Sequence, residues 1–257
     1  MIKAIFLDMD DTLIVNTVLY EQAAAVLSGY MHHYGVPLPE TRQILDKTDR
    51  DLFKTQGYSR ERYPEVFERV LKHFVPKADE KAITTVREFA ENVFSTVAKL
   101  KPGTLEAVDL LTAKFPVYIV TQGDKEVQET RISHLPFKKK LSDIFVVEKK
   151  SVDVFANIVR QLGYRPQEVV MIGDSLKSDV APSVAAGMHA IWIEAHNWAL
   201  EASAEMPAER MYKFSSLLEA SRYLTDYKPP SELDVLRNRI TAHVRRKIRR
   251  ILKEKAA

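Results

Sequence analysis

Acidic residues follow two short apolar segments of the chain, near the points where those segments end. The first segment stops at Asp8, with Asp10 two residues further on, and the second stops before Asp174, with Asp179 five residues later. Clustered carboxylate oxygens suit a hard cation such as Mg²⁺. They also suit a carboxylate nucleophile, because a metal can neutralise the repulsion around a phosphoryl group. A single acid in a loop often caps a helix or forms part of a solvated turn. The shared position of these acids at segment ends instead favours a catalytic or metal-binding role.

The segments that must position these acids alternate between strand-like and helix-like patterns. Short apolar runs predict strands at 2–7, 117–120, 144–147, 169–172 and 190–193. Apolar residues at spacings of three and four predict intervening helices at 105–115, 154–162 and 181–186. This alternation predicts an α/β fold with a parallel sheet. Because ligand sites lie at the carboxyl ends of such strands, we expect Asp8, Thr121 and Asp174 to converge.

Residues 16–98 show no convincing strand and predict a helical insert. The apolar spacing indicates three helices, at 18–34, 63–74 and 83–97, and Ser59 is the expected N-cap of the second. Basic and polar residues around Gly57 could bind a second anionic group of a substrate, or simply form a solvated helix surface. They are Lys47, Arg50, Lys54, Gln56, Tyr58, Arg60 and Arg62.

Composition excludes several classes of protein. The 257 residues are 46% hydrophobic and 28% charged, which is typical of a globular protein and not of a disordered or collagen-like chain. The absence of cysteine excludes a thiol nucleophile, a cysteine-ligated zinc site and a disulfide switch. No apolar run has the length of a membrane helix or the pattern of a signal peptide, so we expect a cytoplasmic protein.

The positive charge is concentrated at the C-terminal end. Residues 228–257 hold ten Lys or Arg and three Asp or Glu, a net +7, so the rest of the chain carries 3 − 7 = −4. Apolar residues recur at helical spacing through 231–254, which predicts a basic amphipathic helix. We expect it to dock on its own chain or to form a homo-oligomer; binding to nucleic acid or an anionic membrane is the less favoured alternative.

The acidic segments and two positions between them resemble the four motifs of the haloacid dehalogenase-like hydrolase superfamily. The stretch from Asp8 to Thr12 resembles the first motif, Thr121 the second, Lys149 or Lys150 the third, and the stretch 173–179 the fourth. The order and spacing agree over residues 1 to about 225. Asp11 stands where glycine is commoner, and no proline follows the lysines, as it does in the typical third motif.

The resemblance implies a fold and a division into domains. The core would be a doubly wound, Rossmann-like parallel sheet formed by residues 1–15 and 99–227. The insert at 16–98 resembles the superfamily's first type of helical cap domain, and 228–257 would add the basic C-terminal helix.

The resemblance also implies the chemical roles of the acids. Asp8 would attack phosphorus and form an aspartyl-phosphate, and Asp10 would protonate the leaving group and then activate water. Mg²⁺ would be bound by the carboxylates of Asp8 and Asp174 and by the backbone carbonyl of Asp10. Thr12 would orient Asp10.

The remaining implied roles concern the phosphate. Thr121, Gln122 and the lysine would hold phosphate oxygens, Asp179 would support the lysine or a metal-bound water, and Ser175 would support the same region. We prefer Lys150 to Lys149, because Ser151 could then cap the following helix and place the lysine at its anion-attracting end.

The predicted function is a Mg²⁺-dependent phosphatase that hydrolyses a small phosphorylated metabolite. A phosphomutase of the same superfamily is the first alternative. A 2-haloacid dehalogenase is the second, and Asp10 argues against it because a halide leaving group needs no proton. From a different class, the chain could be a protein that binds nucleic acid or a membrane through its basic tail.

Overall fold

A computed structural model describes residues 1–194 and 210–226 of the chain. Its described strands form one parallel sheet in the order β3-β2-β1-β4-β5-β6. They are β1 (Ala4–Leu7), β2 (Val117–Gln122), β3 (Asp143–Val147), β4 (Val169–Gly173), β5 (His189–Ile193) and β6 (Met211–Phe214). The predicted α/β fold with a doubly wound, Rossmann-like sheet is confirmed.

The strand order reverses beside β1. The chain runs outward from β1 through β2 to β3, and then returns to place β4 against the other side of β1. Ligand sites in open parallel sheets lie at such a reversal, outside the carboxyl ends of the strands. The predicted acids therefore lie at the switch point of the sheet.

Helices cover both faces of the sheet and fill the segment between β1 and β2. The helices of the described residues are α1 (Thr17–His32), α2 (Leu38–Gln56), α3 (Arg62–Phe74), α4 (Glu80–Ser95), α5 (Thr104–Thr112), α6 (Lys125–Ser133), α7 (Val152–Gln161), α8 (Ala181–Ala185) and α9 (Leu217–Thr225). None of them is both long enough and apolar enough to span a membrane.

Alternation along the strands explains the two cores of the sheet. In β1, Ile5 and Leu7 join a cluster that includes residues of α5 and α9, whereas Phe6 joins a cluster with Phe155 of α7 on the other face. Successive side chains of a strand point to opposite faces. A strand that is buried on both faces therefore consists of apolar residues throughout, as β1 does.

The insert has a core of its own. Leu27 of α1, Phe67 of α3 and Val86 of α4 belong to a third cluster, to which α6, outside the insert, contributes Val127. The three predicted helices are present with shifted ends, but the second begins at Arg62 and not after a Ser59 cap. The predicted domain boundaries stay a prediction.

Three helices and one strand were not predicted. Only three residues of α2 are buried, so its sequence lacks the apolar stripe that identifies a helix. The short helices α6 and α9 and the edge strand β6 were also missed. The predicted tail helix at 228–257 lies outside the described residues.

Candidate active site

The carboxyl ends of β1, β2 and β4 bring the predicted residues together. A cavity of about 160 Å³ opens there. The predicted residues that line it are Asp8, Asp10, Gln122, Lys150, Asp174, Ser175 and Asp179. Thr12 and Thr121 are each 1% exposed and contact lining residues from behind.

Lys150 lies between two carboxylates. Its Nζ donates to Asp8 Oδ1 and to Asp179 Oδ1, both at 2.5 Å, and the residue is only 4% exposed. Burial lowers the pKa of this ammonium, but Asp179 and Asp8 outweigh burial and raise it above its ordinary value. The lysine therefore stays charged beside Asp8.

The neighbouring Lys149 is exposed. Ser151 caps α7, because its hydroxyl accepts from the backbone N–H of Val154 at 3.3 Å, as predicted. This cap starts the helix directly after Lys150 and places the Lys150 backbone N–H 2.9 Å from Gln122 Oε1. The Gln122 amide nitrogen donates in turn to Ser178 Oγ at 3.1 Å.

Asp179 is held from its other side by the backbone. Its Oδ2 accepts from the Ser175 N–H at 3.1 Å, and the Ser175 hydroxyl accepts from the Ser178 N–H at 2.9 Å. Burial raises the pKa of Asp179, Lys150 opposes this rise, and Asp8 adds to it. The loop after β4 thus fixes the carboxylate against the lysine.

Three carboxylates could hold a metal ion. Asp8, Asp174 and Asp179 each offer an oxygen, and these oxygens lie within 4.8 Å of one another. A set of carboxylate oxygens fits a hard cation such as Mg²⁺. Asp8 and Asp174 were predicted as ligands; Asp179 was predicted only to support the site, and the geometry adds its carboxylate to the group.

The surroundings of Asp10 correct one prediction. Thr12 was expected to orient this carboxylate, but its hydroxyl donates to Asp174 Oδ1 at 3.3 Å. Asp10 is instead held by α6: Gln128 Nε2 donates to Oδ2 at 2.7 Å and Arg131 Nη1 donates to Oδ1 at 2.9 Å. Burial raises the pKa of Asp10, Arg131 opposes the rise, and Asp8 adds to it.

Gln128 and Arg131 were not predicted from the sequence. The two residues lie three apart and therefore on one face of α6, and that spacing is the only signal the sequence offers. Gln128 Nε2 also lies 2.9 Å from Thr121 Oγ1, to which it donates. The Gln128 amide thus connects Asp10, the predicted general acid and base, with Thr121, which was predicted to bind phosphate.

Asp11 shapes the loop between the strand and the insert. Its φ of 58° lies in the left-handed region, where aspartate is tolerated better than most residues. Its carboxylate accepts from the backbone N–H groups of Asn16 and Thr17, at 2.9 and 3.0 Å, and from the Thr17 hydroxyl at 2.5 Å. The side chain therefore secures the start of α1.

The insert closes the cavity with a few of its residues. Tyr20, Tyr58, Arg62 and Phe94 line the cavity opposite the strand ends. Most of the basic and polar residues singled out around Gly57 do not. Lys54 pairs with Asp51, Arg60 pairs with Glu91 and Glu126, Gln56 donates to Glu65, and Lys47 and Arg50 are exposed.

Comparisons with known proteins indicate the family of the chain. The family model of the haloacid dehalogenase-like hydrolases matches residues 2–187. A glyceraldehyde 3-phosphate phosphatase from Methanopyrus kandleri is 25% identical over 194 residues, which cover 73% of this chain and 82% of the relative. The pyrimidine 5′-nucleotidase PynA from Streptococcus pneumoniae is 22% identical over 233 residues, which cover 84% and 94%.

A solved structure shares the fold. A haloacid dehalogenase-like family hydrolase from Xanthomonas campestris superposes with a TM-score of 0.73 at 23% identity. The match covers 88% of this chain and 95% of that one.

Proposed function

Because the chain belongs to the haloacid dehalogenase-like hydrolases, we propose that it is a Mg²⁺-dependent phosphatase acting on a small phosphorylated metabolite through an aspartyl-phosphate at Asp8. One observation carries the proposal: Asp8 lies 2.5 Å from the Lys150 ammonium and within a group of three carboxylates that fits a hard cation. Two relatives of the chain are named as a glyceraldehyde 3-phosphate phosphatase and a pyrimidine 5′-nucleotidase, and these names support the same reaction class.

The site would collect positive charge around the transferred phosphoryl group. Mg²⁺ would be held by the carboxylates of Asp8 and Asp174 and the backbone carbonyl of Asp10, and when bound it would neutralise phosphoryl charge. The Lys150 ammonium would also neutralise phosphoryl charge. Thr121 and Gln122 would donate to phosphate oxygens.

The first step forms a bond between an Asp8 carboxylate oxygen and phosphorus. The ester P–O bond breaks, and the leaving oxygen takes a proton from Asp10. Burial favours this role because it raises the pKa of Asp10 and so favours the protonated acid. A dehalogenase would have no use for such a proton donor, which is why we favour phosphoryl transfer.

The second step releases phosphate. Asp10, now a carboxylate, takes a proton from water as the water oxygen attacks phosphorus, and the bond between phosphorus and Asp8 breaks. Gln128 and Arg131 each donate to one oxygen of Asp10. They can hold the same carboxylate in place for both proton transfers.

The test removes the nucleophile. Asp8→Asn should lower Mg²⁺-dependent hydrolysis of p-nitrophenyl phosphate by at least about 10³-fold, as losses of nucleophiles do elsewhere. Asp153→Asn, at an exposed position of α7, is the matched control and should turn over like the wild type. Near wild-type turnover in Asp8→Asn, or full activity of the wild type in excess EDTA, would contradict the proposal.

A further inference from the structure

Unpartnered polar atoms collect around one cavity. Among the described residues, the buried side-chain polar atoms without a hydrogen-bond partner are Asn16 Oδ1, Arg62 Nε and Arg131 Nη2. All three residues line the cavity that contains Asp8 and Asp10. Buried polar groups in folded proteins are almost always hydrogen-bonded. Their collection at one place suits a ligand whose polar groups are complementary to these atoms.

Arg62 is a buried cation with donors to spare. The residue is 4% exposed, begins α3, and donates from Nη1 to Asp49, while its guanidinium lies 5.2 Å from the ring centroid of Phe53. A guanidinium offers five N–H donors, so this pairing leaves others unused. Burial lowers the pKa of Arg62, and the charges of Tyr20 and Tyr63 oppose this fall. A second acidic group beside the guanidinium would favour its charged form further.

Arg131 of α6 lines the same cavity. It is 9% exposed, and its Nη1 donates to Asp10, while Nη2 has no partner. Both guanidiniums act on the Tyr20 phenol of α1: burial raises its pKa, and the charge of Arg131, a hydrogen bond with Arg131 and the charge of Arg62 oppose the rise. Tyr20 is thus a shared neighbour of the two arginines, although they come from the insert and from α6.

We propose that Arg62 and Arg131 bind an acidic group on the carbon skeleton of the substrate, distinct from the transferred phosphoryl group. The inference rests on the proposed phosphatase function and narrows its substrate class to small phosphomonoesters that carry a carboxylate. Guanidinium N–H groups only donate, so the recognised group must accept hydrogen bonds, and a carboxylate presents two oxygens that match their planar geometry. Asn16 would accept a hydrogen bond from a hydroxyl or amine next to that carboxylate.

Matched substrate pairs test this proposal. 3-Phosphoglycerate and glycerol 3-phosphate differ by a carboxylate in place of a hydroxymethyl group, and O-phosphoserine and O-phosphoethanolamine differ by the carboxylate alone. We expect the wild type to have a kcat/KM at least about tenfold higher for the carboxylate member of at least one pair, the size expected for hydrogen bonds to a charged group. The preference should reside mainly in KM.

Arg62→Lys is the informative variant, because lysine keeps the charge opposite Asp49 but loses the guanidinium donors. It should reduce the ratio of the two kcat/KM values within the preferred pair by at least about tenfold, to near one. Arg69→Lys is the control: it makes the same substitution on the same helix, at an exposed arginine that pairs with Glu65. It should keep the wild-type ratio. Circular dichroism of both variants establishes that they fold.

The outcomes separate this inference from the function on which it rests. If the wild type hydrolyses p-nitrophenyl phosphate with Mg²⁺ but prefers no carboxylate substrate, the inference is overturned and the phosphatase function stands. The same holds if the preference survives in Arg62→Lys. If the wild type hydrolyses neither p-nitrophenyl phosphate nor any of the four metabolites, the phosphatase function fails and the inference fails with it.

Discussion

Two consecutive lysines of this chain have opposite surroundings. Lys150 is buried between Asp8 and Asp179, and Lys149 is exposed. The difference arises because β3 ends at Val147 and α7 begins at Val152, so the short connection turns one side chain outward and the next inward. Because both residues are lysines, their charge does not indicate which of the two is buried.

Lys150→Ala should lower phosphatase activity by about 10² to 10³-fold, the usual result of removing one electrostatic partner of a developing charge. It should also lower the melting temperature, because Asp8 and Asp179 are then left buried without their cation. Lys149→Ala should retain wild-type turnover and stability. Steady-state kinetics and thermal melts of the two variants measure both effects, and damage confined to Lys149→Ala would contradict the assignment.

Asp10 offers a second test at the level of one side chain. Asp10→Asn should slow hydrolysis of an alkyl phosphate by about 10² to 10⁴-fold, the contribution typical of general acid catalysis. It should slow hydrolysis of an activated aryl phosphate much less, because an aryl oxide leaves without a proton. Rates for a series of esters of increasing leaving-group pKa measure the difference. Equal losses across the series would count against the acid role.

The connection after β4 shows how one element determines the position of another. A single π-helical turn at Leu176–Val180 follows the strand and brings Asp179 back over its end. A Cβ atom at Gly173 would overlap the Asp179 carboxylate. Glycine is thus needed here for close approach of a side chain, and its φ is not in the left-handed region.

Gly173→Ala should therefore displace Asp179 from Lys150 and lower both activity and stability. Overpacking of this kind costs about 1–3 kcal/mol of the free energy of unfolding. Gly29→Ala is the matched control, because Gly29 lies in α1 with no atom within 4 Å of an added Cβ. That substitution should stabilise the protein by about 0.5–1 kcal/mol, since alanine is the better helix former. Urea denaturation measures both, and a neutral Gly173→Ala would contradict the close approach.

At the scale of the whole molecule, Glu168 ties the beginnings of β1 and β4 together. Its carboxylate accepts from the Arg165 side chain at 2.8 Å, from the Arg165 backbone N–H at 3.0 Å, and from Lys3 at 2.9 Å. Hydrogen bonds from the Arg165 side chain and backbone, and then from Lys3, lower the pKa of Glu168 to about 2. In an unfolded chain the pKa of glutamate is about 4.3.

This difference predicts a dependence of stability on pH. Because the folded-state pKa is the lower one, the carboxylate stabilises the fold fully above about pH 4.3 and loses this effect as the pH falls to about 2. Glu168→Gln should therefore melt below the wild type at pH 7, and the gap should narrow between pH 4.5 and 2. Glu88→Gln, at an exposed position of α4, should show no such gap. A difference in melting temperature between Glu168→Gln and the wild type that stays constant with pH would contradict this dependence on the pKa of Glu168.

The local pattern of the chain was sufficient for most of the sheet. Five predicted strands lie within three residues of the observed ones. Most of them are buried on both faces and therefore largely apolar along their length, and the half-exposed edge strand β3 still contains an apolar run. The same reasoning placed Asp8 and Asp174 at strand ends before their neighbours were known. The pattern did not predict β6, an edge strand with half-exposed residues, or α2, a helix in which few residues are buried.

The arrangement around the acids depended on tertiary structure. Gln128 and Arg131 meet Asp10 across 118 and 121 residues of sequence, and Thr12 meets Asp174 across 162. No periodicity encodes such contacts, because they exist only once crossover connections bring β2 and β4 to either side of β1. The sequence by itself determined which residue types stand at the strand ends and therefore the class of chemistry. Only the packed sheet and insert decided which side chains hold the acid and which arginines line the cavity.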